Sequence, residues 1–232
     1  MTDVGVRVPV YAGPSARQDK AVLDGVSLEL TERRIAVIGA NGSGTSTLLR
    51  LLNGLVLPTS GQILVDGLDT RRDGAAVRRR VGFVFTEPLH QLLMSTPAED
   101  VELSLRRTVR DRRARRAAAL RALARHGLEG LADQSIYDLS GGERQLVALA
   151  SVLAVDPGVL VADEPTTLLD MRNRDRVRAL LAGLTQQVVF ATHDLAFAAD
   201  AERVIVVDCG RVVQDGPPAP ALDAYRRLME VP

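Results

Sequence analysis

Residues 35–47 read IAVIGANGSGTST, four apolar residues followed by a glycine-rich stretch that runs into a helical pattern. A continuous apolar run of this kind fits a strand covered on both faces. Glycines placed directly after it fit a loop whose backbone N–H groups converge on phosphate, backed by the positive end of the next helix. The pattern for such a loop is G-x-x-x-x-G-K-[ST]. Gly39, Gly44 and Ser46 match it, with Asn41, Gly42 and Ser43 between the glycines, but Thr45 occupies the lysine position. Threonine leaves the backbone donors in place and removes the cation that would bridge the β- and γ-phosphates. Ser46 is the candidate Mg²⁺ ligand, and Thr47 a second hydroxyl for the phosphates. Arg50 lies along the helix rather than at the loop. Taken alone, the stretch fits an ordinary glycine-rich turn equally well.

Working outward, Val22–Leu30 broadly alternates like a half-buried strand, and Val81–Phe85, Val159–Ala162, Val188–Ala191 and Val204–Val207 are apolar runs like Ile35–Ile38. Helical patterns over Ser46–Leu55, Glu143–Leu153 and Arg172–Leu184 separate several of them. Strands alternating with helices predict an α/β domain with a largely parallel sheet. Between Ala98 and Gln134 the strand signals stop and Ala, Leu and Arg dominate, which predicts an inserted helical subdomain. The end of the chain, from Pro217, reads as a short turn and a helix.

At 46% hydrophobic and 25% charged, 232 residues can bury a core as one domain or a domain with a subdomain. The 29 basic and 29 acidic side chains cancel, so any contact with nucleic acid or anionic membrane must be local. Cys209 is the single cysteine, which excludes an internal disulfide framework and suits a reducing compartment. No apolar stretch approaches the roughly 20 residues that span a bilayer, and MTDVGVRVPV lacks a basic-then-apolar signal. A cytoplasmic location is expected. Lys20 is the sole lysine, so the loop's missing lysine belongs to a chain that scarcely uses that residue.

Arg106, Arg107, Arg110, Arg112, Arg113, Arg115 and Arg116 crowd one stretch, and Ala117, Leu120, Leu123 and Ala124 mark an apolar helix face just after it. This reads as a solvated surface, or as one that meets lipid headgroups or an acidic partner. Nucleic acid ranks last, because no aromatics interleave with the arginines.

Two further stretches carry chemistry. VLVADEPTTLLD, Val159–Asp170, is a buried strand ending in paired carboxylates. Asp163 suits a Mg²⁺ held through water, and Glu164 suits a base that orients and deprotonates attacking water. LSGGERQ, Leu139–Gln145, sets a serine and two glycines at a helix start, a second nest for anionic oxygens.

With LSGGERQ the chain resembles the nucleotide-binding subunit of an ABC transporter over nearly its whole length. The order agrees: phosphate loop, helical subdomain, signature, Asp-Glu strand, then ATHD with His193. The resemblance implies a P-loop NTPase core of ABC ATPase type with an N-terminal antiparallel β portion. The core would span residues 1–97 and 137–232, and the α-helical subdomain residues 98–136. It implies ATP and Mg²⁺ as cofactors, and a head-to-tail dimer in which Ser140, Gly141 and Gly142 face a partner's γ-phosphate. His193 would contact the γ-phosphate and steady the water, and Tyr11 would stack on adenine. Asp170 resembles the acid of the loop linking the two sites, although Leu168 and Leu169 depart from the small residues usual there. Thr86 stands where the family has a glutamine that touches Mg²⁺ and water, and the spacing of nearby Gln91 does not match that role.

NGLVLPTSGQILVDG (Asn53–Gly67) and VGFVFTEPLHQLLMSTPAEDVELSL (Val81–Leu105) are similar to ATPase subunits of energy-coupling-factor importers, biotin and cobalt or nickel systems above all. The region after Thr86 would then receive helices of a transmembrane coupling protein, which works with a substrate-binding membrane protein at the cytoplasmic face of the membrane. Two readings stay open: an importer motor slowed by Thr45 and Thr86, or a non-catalytic module that lends its signature to an active ATPase. A soluble ABC protein of DNA repair or translation fits less well, since the chain has no room for a long coiled coil or a second nucleotide domain.

Overall fold

Each buried apolar run becomes a strand. The computed structural model describes residues 1–11, 17–167 and 169–230; the side chains of Tyr11 and Arg17 lie outside the description. In chain order the elements begin with β1 (Thr2–Tyr11), β2 (Arg17–Val26), β3 (Arg34–Ile38), α1 (Thr45–Leu52), β4 (Ser60–Gln62), β5 (Leu64–Val65), β6 (Leu68–Asp69) and α2 (Gly74–Arg80). They continue with β7 (Val81–Val84), α3 (Pro97–Leu105), α4 (Arg112–Ala124), α5 (Gly141–Leu153), β8 (Val159–Asp163) and α6 (Met171–Gly183). The last are β9 (Gln187–Ala191), α7 (Leu195–Ala198), β10 (Arg203–Asp208), β11 (Arg211–Gly216) and α8 (Pro218–Glu230).

The chain forms two units, one of Met1–Val81 with the residues from Gln187 onward, the other Gly82–Gln186. In the first unit β2, β1 and β4 make an antiparallel sheet, and β11, β10, β3 and β9 lie side by side in a second. Strands β10, β3 and β9 are parallel, with Ile35 level with Val189 and with Arg203, and β11 closes the edge antiparallel. Ile35, Ala36, Val37 and Ile38 are all buried, as are Leu48, Leu49 and Leu51 of α1. That double-sided cover is why this strand carries no alternation. At the opposite end from the loop, the Arg203 guanidinium binds Asp215 at 2.6 Å and Glu32 at 3.0 Å, and these carboxylates push its affinity for the proton further up.

In the second unit β7 lies beside β8, and α5 buries Leu146–Ala150. Helices α3 and α4 fall within the stretch 98–136 apart from Pro97, while the unit itself is wider.

Three expectations shift. The helix expected to Leu55 stops at Leu52, because Gly54 at φ +70 ends it in a left-handed turn whose carbonyl at Arg50 accepts from Leu55 N–H. The strand expected over Val22–Leu30 runs over Arg17–Val26, bent near its end by Gly25 at φ +65. The apolar face expected on α4 divides in two: Leu123 is buried with Ala119 and Ala122, whereas Ala117, Leu120 and Ala124 are exposed. Alanine is at home on either face, so the pattern did not fix the rotation of this helix.

Candidate functional site

The phosphate loop belongs to the first unit. It leaves the carboxyl end of β3 and enters α1 through Gly44 at φ +108, a conformation that side chains rarely adopt. Space demands glycine there too: a Cβ on Gly44 would stand 2.8 Å from the Val22 carbonyl oxygen. A Cβ on Gly39 would collide with the Val207 carbonyl and the Ser43 hydroxyl, and would stand 3.1 Å from the Thr45 methyl carbon. The loop is thus wedged between β10 and β2. Ser43 N–H donates to Ala40 at 3.0 Å, and its carbonyl accepts from Gly210 N–H at 2.9 Å. Gly210 sits in the β10–β11 turn after the exposed Cys209. Ser43 is buried, and its hydroxyl has no hydrogen-bond partner among the described residues.

Helix α1 has no side-chain cap and no acidic residue in its first turn. Its first N–H groups have no acceptors within the helix, and the helix dipole sets its positive end at the loop. Thr45 and Ser46 open this helix, and Thr47 follows. Arg50 lies in its last turn, as expected.

His193 belongs to the same unit. Strand β9 ends at Ala191, level with Val37 of β3, and Thr192 N–H donates to the Val37 carbonyl at 3.2 Å. Parallel neighbours end at the same edge, so His193 emerges one strand away from the phosphate loop, exposed. Its neighbours set the backbone: Asp194 N–H donates to the Thr192 hydroxyl, and the Asp194 carboxylate accepts from Ala196 and Phe197 N–H. Sequence reading stopped at the histidine and missed these two.

The second unit holds the carboxylates and the signature. Asp163 is buried at the end of β8, and Glu164 follows at φ +51. A strained, left-handed carboxylate at a strand end is a mark of functional positions. The Thr167 hydroxyl donates to Glu164 Oε2 at 2.9 Å and fixes that carboxylate. Leu168 lies outside the described residues. Asp170 caps α6, accepting from Asn173 N–H at 2.8 Å and from its side-chain amide at 3.0 Å. Asn173 in turn fills the space where a Cβ on Gly142 would stand. The glycine of the signature is therefore needed for α5 to lie against α6, a requirement invisible in the motif.

Ser140 opens α5 with a complete capping box. Its hydroxyl donates to Glu143 Oε2 at 2.7 Å and accepts from Glu143 N–H at 3.3 Å, while the same carboxylate takes Ser140 N–H at 2.8 Å. These bonds hold the Glu143 carboxyl below its ordinary range. Gly141 is exposed beside it.

Thr86 is half-buried after β7. The neighbouring Gln91 is engaged elsewhere: its oxygen accepts from Phe85 N–H at 3.3 Å and its amide donates to the Ala148 carbonyl of α5 at 3.2 Å. It ties this loop to the signature helix. Farther along, buried Asp100 accepts Leu93 N–H at 3.0 Å and Met94 N–H at 3.2 Å. Burial pushes its carboxyl above the usual range in spite of both bonds. A capping box between Thr96 and Glu99 starts α3, and sequence reading missed both it and the role of Asp100 beside it. The Tyr11 side chain lies outside the described residues.

Residues 23–167 match the sequence profile of the family described as ABC transporter. The chain is 43% identical to the biotin transport ATP-binding protein BioM of Rhizobium etli, covering 90% of this chain and 93% of that protein. It is 41% identical to the cobalt import ATP-binding protein CbiO of Syntrophus aciditrophicus, covering 87% and 74%. With the energy-coupling factor transporter ATP-binding protein EcfA1 of Bacillus subtilis it shares 36% identity over 92% and 78%. Among solved structures, the dimeric, post-hydrolysis ATP-binding cassette MJ0796 bound to ADP and phosphate superposes with a TM-score of 0.82 at 31% identity, covering 94% of this chain and 97% of that one. Fold, loop, signature and relatives agree: the chain belongs to the ABC transporter family, as one of its ATP-binding ATPase subunits.

Proposed function

We propose that this chain powers an importer of the energy-coupling-factor type, which takes up a vitamin or a metal ion. It works as a head-to-tail pair, with a second copy or a sister ATPase, at the cytoplasmic face of the membrane. The observation that carries catalysis is Glu164, strained at φ +51 and held by Thr167 directly after buried Asp163. A carboxylate so fixed suits a base that orients and deprotonates water. Relatives named for biotin, cobalt and energy-coupling-factor transport support the importer class. Among the described residues no helix is long and apolar enough to cross a membrane, so partners would supply the translocation path.

ATP would rest on the N–H groups from Asn41 to Thr47 at the open end of α1, with Tyr11 against adenine and His193 toward the γ-phosphate. The Ser43 hydroxyl, without a hydrogen-bond partner among the described residues, fits a site finished by its ligand. Mg²⁺, bound by Ser46 and Asp163, would neutralise charge developing on the phosphates. Ser140, Gly141 and Gly142 would close the site of the opposite subunit. The groove for a coupling protein would begin after Thr86, where Leu93 is 74% exposed on a loop that Asp100 holds rigid, and Tyr137 is 71% exposed. Exposed apolar side chains on a fixed backbone suit a docking surface.

Hydrolysis would be slow. Lysine near 4 Å from a phosphate oxygen contributes up to about 4 kcal/mol at an effective dielectric near 20, before desolvation. Thr45 has no charge, and Thr86 shortens a second polar group. That pair of changes favours the alternative, a non-catalytic partner that lends its signature motif. Mg-ATP binding and phosphate release, measured beside a Thr45→Lys, Thr86→Gln variant, separate the two: turnover by the chain as written supports the motor, and turnover by the variant alone supports the binding partner.

A further inference from the structure

Nucleotide chemistry leaves the arginine-rich stretch unused. From Arg106 to Arg125 the chain carries nine arginines and one acidic residue, in a molecule whose 29 basic and 29 acidic side chains cancel overall. Asp111 is already committed as the cap of α4, accepting Ala114 N–H at 2.7 Å. Two arginines turn toward the body of the unit. Arg115 donates to the Val109 and Arg110 carbonyls, and Arg116 bonds Glu102 at 3.2 Å and also Asp133. Arg106, Arg107, Arg110, Arg112, Arg113 and Arg121 are exposed, and none makes an ion pair among the described residues. The same outward side holds Ala117, Leu120 and Ala124, three residues of the apolar helix face read from the sequence. Leu103 of α3 is 39% exposed and Leu120 38%, and a shallow hollow is lined by Arg112, Arg113, Arg116, Ala117 and Leu120.

We propose that this face of α3 and α4 binds the headgroup layer of anionic phospholipid. A phosphodiester takes the arginine fork in two parallel hydrogen bonds. Exposed leucine and alanine between the arginines suit the boundary where headgroups meet acyl chains, and arginine stems reach upward from that depth. α4 presents no aromatic, amide or hydroxyl side chain. It therefore offers no ring to stack on bases, and a fluid anionic layer requires only charge and apolar depth. The inference needs no nucleotide and stands apart from the hydrolytic reading.

The test is sedimentation of the full chain with vesicles of phosphatidylcholine alone and of an equal mixture with phosphatidylglycerol. Binding is expected on the mixture, weakly or not at all on the neutral vesicles, and should decline with added salt. Arg113→Gln with Arg121→Gln should lower the partition about fivefold for each arginine removed. Leu120→Gln should weaken binding while leaving the salt slope unchanged, and Arg226→Gln on α8 should change nothing. Thermal melts of each variant verify the fold; if the double variant melts early, the salt titration of the unaltered chain decides alone. Equal binding to both vesicle types, no binding at low salt, or full binding by a folded double variant overturns the proposal. So does a soluble polyglutamate that captures the chain as tightly as the vesicles, which would assign the face to an acidic protein.

Discussion

Helices α1 and α5 both begin on glycine-rich sequence next to nucleotide motifs, and they are finished in opposite ways. α1 starts from Gly44 with no side-chain cap and no acid in its first turn. α5 starts from Ser140, whose hydroxyl and N–H are both taken by Glu143. In the first, no carboxylate of the first turn offsets the positive helix end; in the second, a carboxylate of the chain sits there. What α5 still offers is the N–H groups of Gly141 and Gly142. The difference teaches that two glycine-rich helix starts can be finished in opposite ways, one left without a side-chain cap and the other closed by its own capping box.

The largest test of that contrast is Thr45→Lys with Thr86→Gln, which adds a cation to the open end. Phosphate release should rise on the order of a hundredfold, most of it in kcat, because the added charge acts on charge that develops during transfer. An unchanged kcat would mean that the open end of α1 suffices alone. Next comes Gly142→Ala, which drives a methyl group into Asn173 and should cost about 1–3 kcal/mol in urea unfolding. The added change Asn173→Ala should recover most of it; if it recovers none, the close packing of α5 on α6 is not what this glycine protects. Ser140→Ala removes the cap and should cost about 1 kcal/mol, where the uncapped α1 has no equivalent to lose.

The smallest effect is one of pH. Glu143 titrates below its ordinary range in the folded chain, so its contribution is complete above that ordinary value and fades as pH falls through the folded one. Between the two values the unfolded chain binds more protons, and stability rises with pH. Melting temperatures across that acid window should show a shallower slope in Glu143→Gln than in the parent chain. An identical slope would separate Glu143 from acid unfolding.

The buried strands were legible because double-sided burial writes itself as unbroken apolar runs, as in Ile35–Ile38 and Val188–Ala191. β11 was not, since an edge strand whose residues are half-buried and exposed in turn carries no such run. Residues of the candidate site were readable where chemistry fixes the residue type, as for the loop glycines, Asp163 and Glu164. The strain at Glu164, the grip of Asp100 on Leu93 and Met94, and the engagement of Gln91 depend on contacts between distant segments, which no local pattern encodes. The rotation of α4 was not legible for the same reason: Leu123, Ala119 and Ala122 are the residues it buries, where an alanine-rich helix could have turned either way.

The hydrogen bond from Gly210 to the Ser43 carbonyl has a practical consequence. Cys209, the only thiol in the chain, is exposed immediately before the residue that holds the phosphate loop from below. A thiol-reactive fluorophore would attach at this single position without engineering, one residue from a bond made by the loop itself. Its emission would then follow nucleotide entering and leaving in real time, whether or not the nucleotide is hydrolysed.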